Sequence, residues 1–196
     1  MWVIGDIHGC INTLKKLCDK LNGEIYTVGD LVDKGPSSSE VIDFVIKNNI
    51  KAVKGNHDVF FQDYGSIHLQ NKSIKHTDWY LKFGGNRTIH SYKSKIKMEE
   101  HINFISSLPY HLTLENAIIT HGFGLPYIND LTNYKALTCN RITRYTGDYS
   151  ELEGFNIFGH DSFKEVLVND KFIGIDTGCV YGKTKKYGGK LSAYNL

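Results

Sequence analysis

No two cysteines of this chain stand in a Cys-x-x-Cys spacing, so neither a zinc ribbon nor a thioredoxin-like redox motif is available. Cys10, Cys18, Cys139 and Cys179 therefore read as reduced thiols. No apolar stretch approaches the ~18 residues a membrane span requires. The strand-like start Trp2-Val3-Ile4 runs straight into Gly5-Asp6 and leaves no room for a signal peptide. A cytoplasmic location with no membrane partner is expected. Charge of one sign is not in excess either. The 23 Lys and Arg against 21 Asp and Glu leave a net charge of +2, too slight for a nucleic-acid surface yet no barrier to a phosphorylated substrate. Repeats, low-complexity tracts and linkers are missing. With 41% hydrophobic and 22% charged residues, 196 residues predict one compact domain, 1–196.

What the sequence does have is a series of metal-ligand residues, each just after an apolar run. They are Gly5-Asp6-Ile7-His8-Gly9, Gly29-Asp30-Leu31-Val32-Asp33-Lys34-Gly35, Gly55-Asn56-His57-Asp58, His121-Gly122 and Gly159-His160. Single Gly-Asp and Gly-His pairs are common turn residues. The ordered set is not. Two carboxylates, one amide and three imidazoles are what two adjacent divalent cations need, and such pairs drive in-line hydrolysis of phosphate esters.

Organisation along the chain agrees with this. Trp2-Val3-Ile4, Ile25-Tyr26-Thr27-Val28 and Lys51-Ala52-Val53-Lys54 read as strands. Between them, Ile11 to Leu21 has apolar residues at helical spacing, and a second helix follows Pro36 with Ser37, Ser38 and Ser39 as N-cap candidates. This is the pattern of a parallel sheet, whose strand carboxyl ends collect ligands. Residues 59–108 are mixed polar and aromatic, broken at Gly84-Gly85, and are expected to be helices and loops capping the site. Beyond Pro109 the chain turns β-rich. Strands are expected at 110–114, 117–120, 155–158, 165–168, 172–175 and 191–194, with Asn169-Asp170 as a turn. The predicted class is α/β, two mixed β-sheets packed face to face with helices outside.

The ordered motifs, with Gly84-Gly85, Asn140-Arg141 and Ile175-Asp176-Thr177-Gly178, resemble the calcineurin-like metallophosphoesterases. Within that family they are similar to the phosphoprotein-phosphatase branch of bacterial and phage serine/threonine phosphatases and symmetrical diadenosine tetraphosphatases. The resemblance runs from Met1 to about Tyr194. It implies Asp6 and His8 on a first metal, Asp30 bridging two, and Asn56, His121 and His160 on the second. It further implies attack by a hydroxide shared between the metals, His57 as general acid, Asp33 orienting that imidazole, and Arg141 clamping phosphate. Manganese is the first choice of metal, with iron, zinc or nickel as alternatives, since nitrogen and oxygen donors without thiolate suit all four.

Two departures bear on substrate. Lys34 stands where most phosphatases of the branch have arginine, giving a point charge without the bidentate fork. Asp58 stands where protein phosphatases usually have glutamate, and is grouped with His57, Asp33, Arg141 and Lys34 as the catalytic set. Asp33, by contrast, is the protein-phosphatase choice. The leading expectation is a serine/threonine-type protein phosphatase, the alternative a diadenosine tetraphosphatase, and the third reading a weakly active phosphate-binding module. Phosphorylated protein or nucleoside polyphosphate would be the substrate. Lysines of the 183–187 insertion are expected near the mouth of the site or at a solvated hairpin tip. Tyr64, Trp79 and Tyr80 are expected to be core aromatics, with base stacking as the alternative.

Overall fold

A computed structural model describes all residues, 1–196. In chain order the elements are β1 (Trp2–Ile4), α1 (Ile11–Cys18), β2 (Ile25–Thr27), α2 (Ser38–Lys47), β3 (Lys51–Ala52), α3 (Asn56–Leu69), α4 (Asp78–Leu81), α5 (Gly85–His90) and α6 (Lys95–Ser107). There follow β4 (His111–Thr113), β5 (Ile118–Thr120), α7 (Tyr134–Cys139), β6 (Asn156–Phe158), β7 (Leu167–Val168), β8 (Phe172–Gly174) and β9 (Ala193–Asn195). One sheet has the order β3-β2-β1-β9, the other β4-β5-β6-β8-β7. Both are mixed. Strands β1, β2 and β3 run parallel with β9 antiparallel, while β5, β6 and β8 run parallel with β4 and β7 antiparallel at the edges.

Strand alternation explains the layering. Side chains of successive strand residues point to opposite faces. Val3 thus joins Tyr26, Val28, Ile119, Ile157 and Ile173 in the core between the sheets. Its neighbour Ile4 instead faces the helices, packing with Leu14 of α1, Val41 and Ile42 of α2, and Phe61 of α3. On the far face of the second sheet Phe123, Phe158 and Phe172 form a smaller cluster. The expected two-sheet α/β class holds.

Several elements are shorter than the sequence suggests, for local reasons. Helix α1 stops at Cys18 because the chain tightens there, the Leu21 N–H donating to the Cys18 carbonyl at 3.0 Å ahead of Gly23 at φ +94°. Strand β3 stops at Ala52, since the Lys54 N–H turns away to the Pro109 carbonyl at 2.8 Å. Ser37 precedes α2 without a side-chain cap, and the Ser38 hydroxyl accepts from the Asp33 N–H at 3.2 Å instead. Residues 59–108 hold most of α3 and all of α4, α5 and α6. No helix is long and apolar enough to cross a membrane.

Candidate metal centre

The ligand candidates gather where parallel strands of both sheets end. Asp6 follows β1, Asp30 follows β2, Asn56 opens α3 after β3, His121 follows β5 and His160 follows β6. Backbone geometry at these positions is unusual. Seven non-glycine residues have positive φ, and five of them are His8, Asp30, Asp33, Lys34 and His160. Left-handed backbone costs a side-chain-bearing residue of order 1 kcal/mol or more, and it clusters where function over-determines geometry. Flanking glycines are required for a different reason. A Cβ on Gly55 would collide with the Asp30 carboxylate, and one on Gly159 with that of Asp6.

Asp30 lies between two imidazoles. Its Oδ2 is 3.3 Å from His8 Nε2 and its Oδ1 is 3.3 Å from His121 Nε2. Asn56 Oδ1 is 3.1 Å from the same His121 nitrogen, and the His160 N–H donates to the Asp6 carboxylate at 3.3 Å. The His121 and His160 rings lie 5.1 Å apart. Electrostatics follow from burial. Desolvation, then the nearby Asp176 carboxylate, pushes Asp6 well up. Asp30 is also penalised by burial, yet the His121, His57 and His8 charges carry it well below the carboxylate range. Burial opposes a charge on His121, but Asp30 and Asp6 raise it to about 10. His160 is driven to about 3 by burial and by the His121 and Arg141 charges.

His57 sits in the first turn of α3, its Nδ1 2.7 Å from Asp33 Oδ2. Asp33 is fully buried and also accepts from Trp79 Nε1 at 2.7 Å and Thr88 Oγ1 at 2.6 Å. Tyr64 stacks on Trp79 at 5.5 Å inside the helical core, so these aromatics pack and brace Asp33 and do not face the cleft. Lys34 reaches inward, with Nζ 2.8 Å from His8 Nε2. Arg141 donates through Nη1 to Asp161 Oδ1 at 2.6 Å and to the His160 carbonyl at 3.2 Å.

Asp58 lies apart from the other members of the expected catalytic grouping, outside the cleft lining. It is wholly buried away from the cleft and accepts backbone N–H groups from Asp30 at 2.8 Å, Leu31 at 3.0 Å and Gly55 at 2.9 Å. Such bonds fix the β2 loop against α3 and hold the Asp58 carboxylate behind Asp30. Burial and the Asp30 charge push it up to about 7. Asp58→Asn should turn an amide N–H toward one of these donors and cost about 1–3 kcal/mol, the penalty for a buried unsatisfied group. Thermal denaturation would show the loss as a lower Tm. An unchanged Tm would mean that the three bonds do not stabilise the loop.

Around the candidate ligands runs a cleft of about 760 Å³. Its lining includes Lys34, Lys82, Arg141, Arg144 and Lys186, with Phe60, Phe83, Tyr181 and Tyr187 between them. Segment 183–187 does reach the cleft wall, through Lys186 and Tyr187. Asp161, Phe60 and Phe83 line the site without a motif to announce them, and Asp176 belongs to a motif that carried no assigned role. Asp176 follows β8 as Asp6 follows β1, a pattern readable in the sequence. Asp161 directly follows His160 but betrays its role only through its Arg141 partner.

The fold and site agree with what the chain is similar to. A family model described as calcineurin-like phosphoesterase matches residues 1–161. The chain belongs to this family. Among curated relatives, the asymmetrical bis(5'-nucleosyl)-tetraphosphatase PrpE of Oceanobacillus iheyensis is 29% identical, over 99% of this chain and 87% of its own length. The symmetrical bis(5'-nucleosyl)-tetraphosphatase of Buchnera aphidicola is 42% identical, but over 37% of this chain and 29% of its own length. Of solved structures, a protein serine/threonine phosphatase from Saccharomyces cerevisiae superposes with a TM-score of 0.64, at 16% identity over 100% of this chain and 79% of that one. A cold-active protein-tyrosine phosphatase from a Shewanella species gives 0.67 at 16% identity, over 98% and 79%. At such identities these two show the shared fold.

The calcineurin-like fold implies divalent metal ions, and the donor chemistry fits them. His8 Nδ1 and His121 Nδ1 each lie 2.8 Å from a backbone carbonyl, of Val32 and Val28. That bond places the proton on Nδ1 and leaves the Nε2 lone pair facing Asp30. Lone pair and carboxylate at 3.3 Å repel unless positive charge lies between them. On the His8 side the Lys34 ammonium, 2.8 Å from Nε2, supplies that charge, and on the other side a proton on His121 can, which is why its pKa rises. The clusters Asp6, Asp30, His121 and His8, Asp30, His57 bring ligand atoms within 4.8 Å of one another. In this calcineurin-like phosphoesterase, then, Asp30 is shared by two potential metal positions.

Proposed function

We propose that the protein is a divalent-metal-dependent hydrolase of phosphoanhydrides acting on dinucleoside polyphosphates. The observation carrying this is the number of cations in the cleft wall beyond the Asp6 and Asp30 side: Lys34, Lys82, Arg141, Arg144 and Lys186, with Asp161 and Asp176 among them, are more positive groups than one monoester phosphoryl can touch. Similarity over nearly the whole chain to a relative named as an asymmetrical tetraphosphatase supports the same reading. Asp6, His8, Asp30, Asn56, His121 and His160 would hold two cations, manganese being the first to test. Bound there, the metals supply charge neutralisation at phosphoryl oxygens and a more acidic water.

The protein's own groups do the rest. Arg141 spends only Nη1 on Asp161 and His160, which leaves Nη2 and Nε for phosphoryl oxygens. Lys34 offers a single contact beside His8. With Nδ1 on Asp33, His57 holds at Nε2 the proton that the departing oxygen takes. Lys186 and Arg144 in the cleft wall would meet the remainder of the polyphosphate chain. Residues 59–108 would act as a cap on a single 1–196 domain, contributing Phe60, Lys82 and Phe83 to the cleft.

A second reading, a serine/threonine phosphatase, draws on the Asp33–His57 pair, because an alkoxide needs a proton and a polyphosphate leaving group scarcely does. Turnover of diadenosine tetraphosphate, a phosphothreonine peptide and p-nitrophenyl phosphate by manganese-loaded enzyme separates the two. The highest kcat/KM is expected on the tetraphosphate. Arg144→Ala and Lys186→Ala should each lower that value about twofold to fivefold, the worth of a largely exposed charge, with little change on the peptide. Preference for the peptide, with both variants neutral on the tetraphosphate, would give the second reading.

A further inference from the structure

A second cavity, of about 410 Å³, opens between α3 and α7 beside the metal cleft, and Asn56 and Phe60 line both. Its remaining walls include Val59, Tyr110, Tyr134 and Lys135. Tyr110 and Tyr134 stack with ring centroids 4.4 Å apart and planes 17° from parallel. Beneath them lies the buried Lys54, whose ammonium sits 4.9 Å from the Tyr110 ring and is tied to Gln62 and the Ser106 carbonyl. One end of this column is therefore filled. The other end, Tyr134, is 51% exposed.

We propose that this recess is a base-binding subsite that takes the purine of the nucleotide whose phosphate lies at the metal centre. The assignment rests on the dinucleoside-polyphosphate reading and locates one half of that substrate. Its volume is that of a small-molecule pocket, about 300–1,000 Å³ in ordinary cases. A planar aromatic occupant continues a column of parallel rings, and Lys135 at the edge provides a donor for ring nitrogens. Continuity through Asn56 sets the reach: Asn56 Oδ1 points at the metal-centre histidine, and the same residue borders the recess. The other aromatic pairs of the cleft are less open. Lys34 and Lys186 lie over Tyr181 and Tyr187 at 5.4 and 5.0 Å, while Phe60 and Phe83 stack on each other at 5.7 Å and each makes a T-shaped contact with His57.

The test is binding, which does not depend on turnover. Dissociation constants of adenosine 5'-monophosphate, ribose 5-phosphate and phenyl phosphate would be measured with manganese-loaded wild type, Tyr134→Ala, Tyr134→Phe and Phe83→Ala. The monophosphate should bind about tenfold tighter than ribose 5-phosphate, the usual worth of one base stacked on an aromatic ring. Tyr134→Ala should remove that advantage, Tyr134→Phe should keep it, and ribose 5-phosphate should bind wild type and both Tyr134 variants alike. Equal binding of the two phosphates by wild type would overturn the subsite. So would an advantage lost in Phe83→Ala and kept in Tyr134→Ala, which would move the base to the Phe60–Phe83 pair. Phenyl phosphate binding as tightly as the nucleotide would make the recess a general aryl pocket and end the purine assignment. A wild type that binds the nucleotide as expected but does not cleave diadenosine tetraphosphate would keep the subsite and overturn the substrate reading.

Discussion

Asp30→Asn is expected to abolish turnover and to release most of the bound metal. The carboxylate offers Oδ2 to the His8 side and Oδ1 to the His121 side, each 3.3 Å from an imidazole nitrogen. Oδ1 also accepts the His57 N–H at 3.0 Å. An amide keeps one acceptor, loses the charge, and turns an N–H toward one of the two metal positions. Loss of an outer partner alone costs ~10–100-fold in metal affinity, so removing a shared ligand should cost more. Metal analysis of dialysed protein, with circular dichroism to show that the fold survives, is the direct measurement. If the variant retained two equivalents of metal and near-normal turnover, Asp30 would not be the shared ligand.

That Asp30 could be singled out in the sequence at all follows from topology. Asp6, Asp30 and Asn56 each follow a short apolar run, and parallel strands deliver their carboxyl ends to one rim. The chemistry of the rim is thus written in residues far apart in sequence. What holds those residues in place is not. His8, Asp30, Asp33, Lys34 and His160 adopt left-handed backbone, which nothing in residue type announces. Asp58 carries the motif's charge yet spends it on three backbone bonds inside the protein, a placement that membership of the motif does not announce. Trp79 reaches Asp33 across 46 residues, and Tyr110 meets Tyr134 across 24; neither pairing leaves a periodic trace. Helix α3 was hidden in the texture of residues 59–108 because its buried stripe, His57, Asp58, Phe61 and Gly65, carries only one large apolar side chain. His57 and Asp58 turn toward the site end, and Gly65 lets Ile102 of α6 approach.

His57→Asn should leave the fold intact and slow turnover on an alkyl phosphoester by ~10²–10⁴, the contribution of a positioned general acid. Position is what the structure supplies. Asp33 takes Nδ1 at 2.7 Å and is itself pinned by Trp79 and Thr88, so the imidazole can turn only Nε2 to a departing oxygen. Asparagine is too short to deliver a proton there. The loss should shrink with the leaving group's need for that proton. It should be largest for a phosphothreonine peptide, smaller for p-nitrophenyl phosphate, and smallest for a tetraphosphate, whose departing oxygens are already stable anions. A competing role is specific enough to test in the same samples. His57 lies with His8 and Asp30 in a cluster able to hold a metal, its ring 4.9 Å from that of His8. Were His57 a ligand, the variant would lose metal, and its activity would fall by one factor on all three substrates and recover as manganese is raised. As an acid it should keep its metal, show graded losses, and be indifferent to added manganese. Asp33→Asn then serves as the companion variant. It leaves the imidazole in place but unsettles the proton on Nδ1, so its losses should follow the same order across the three substrates at smaller size.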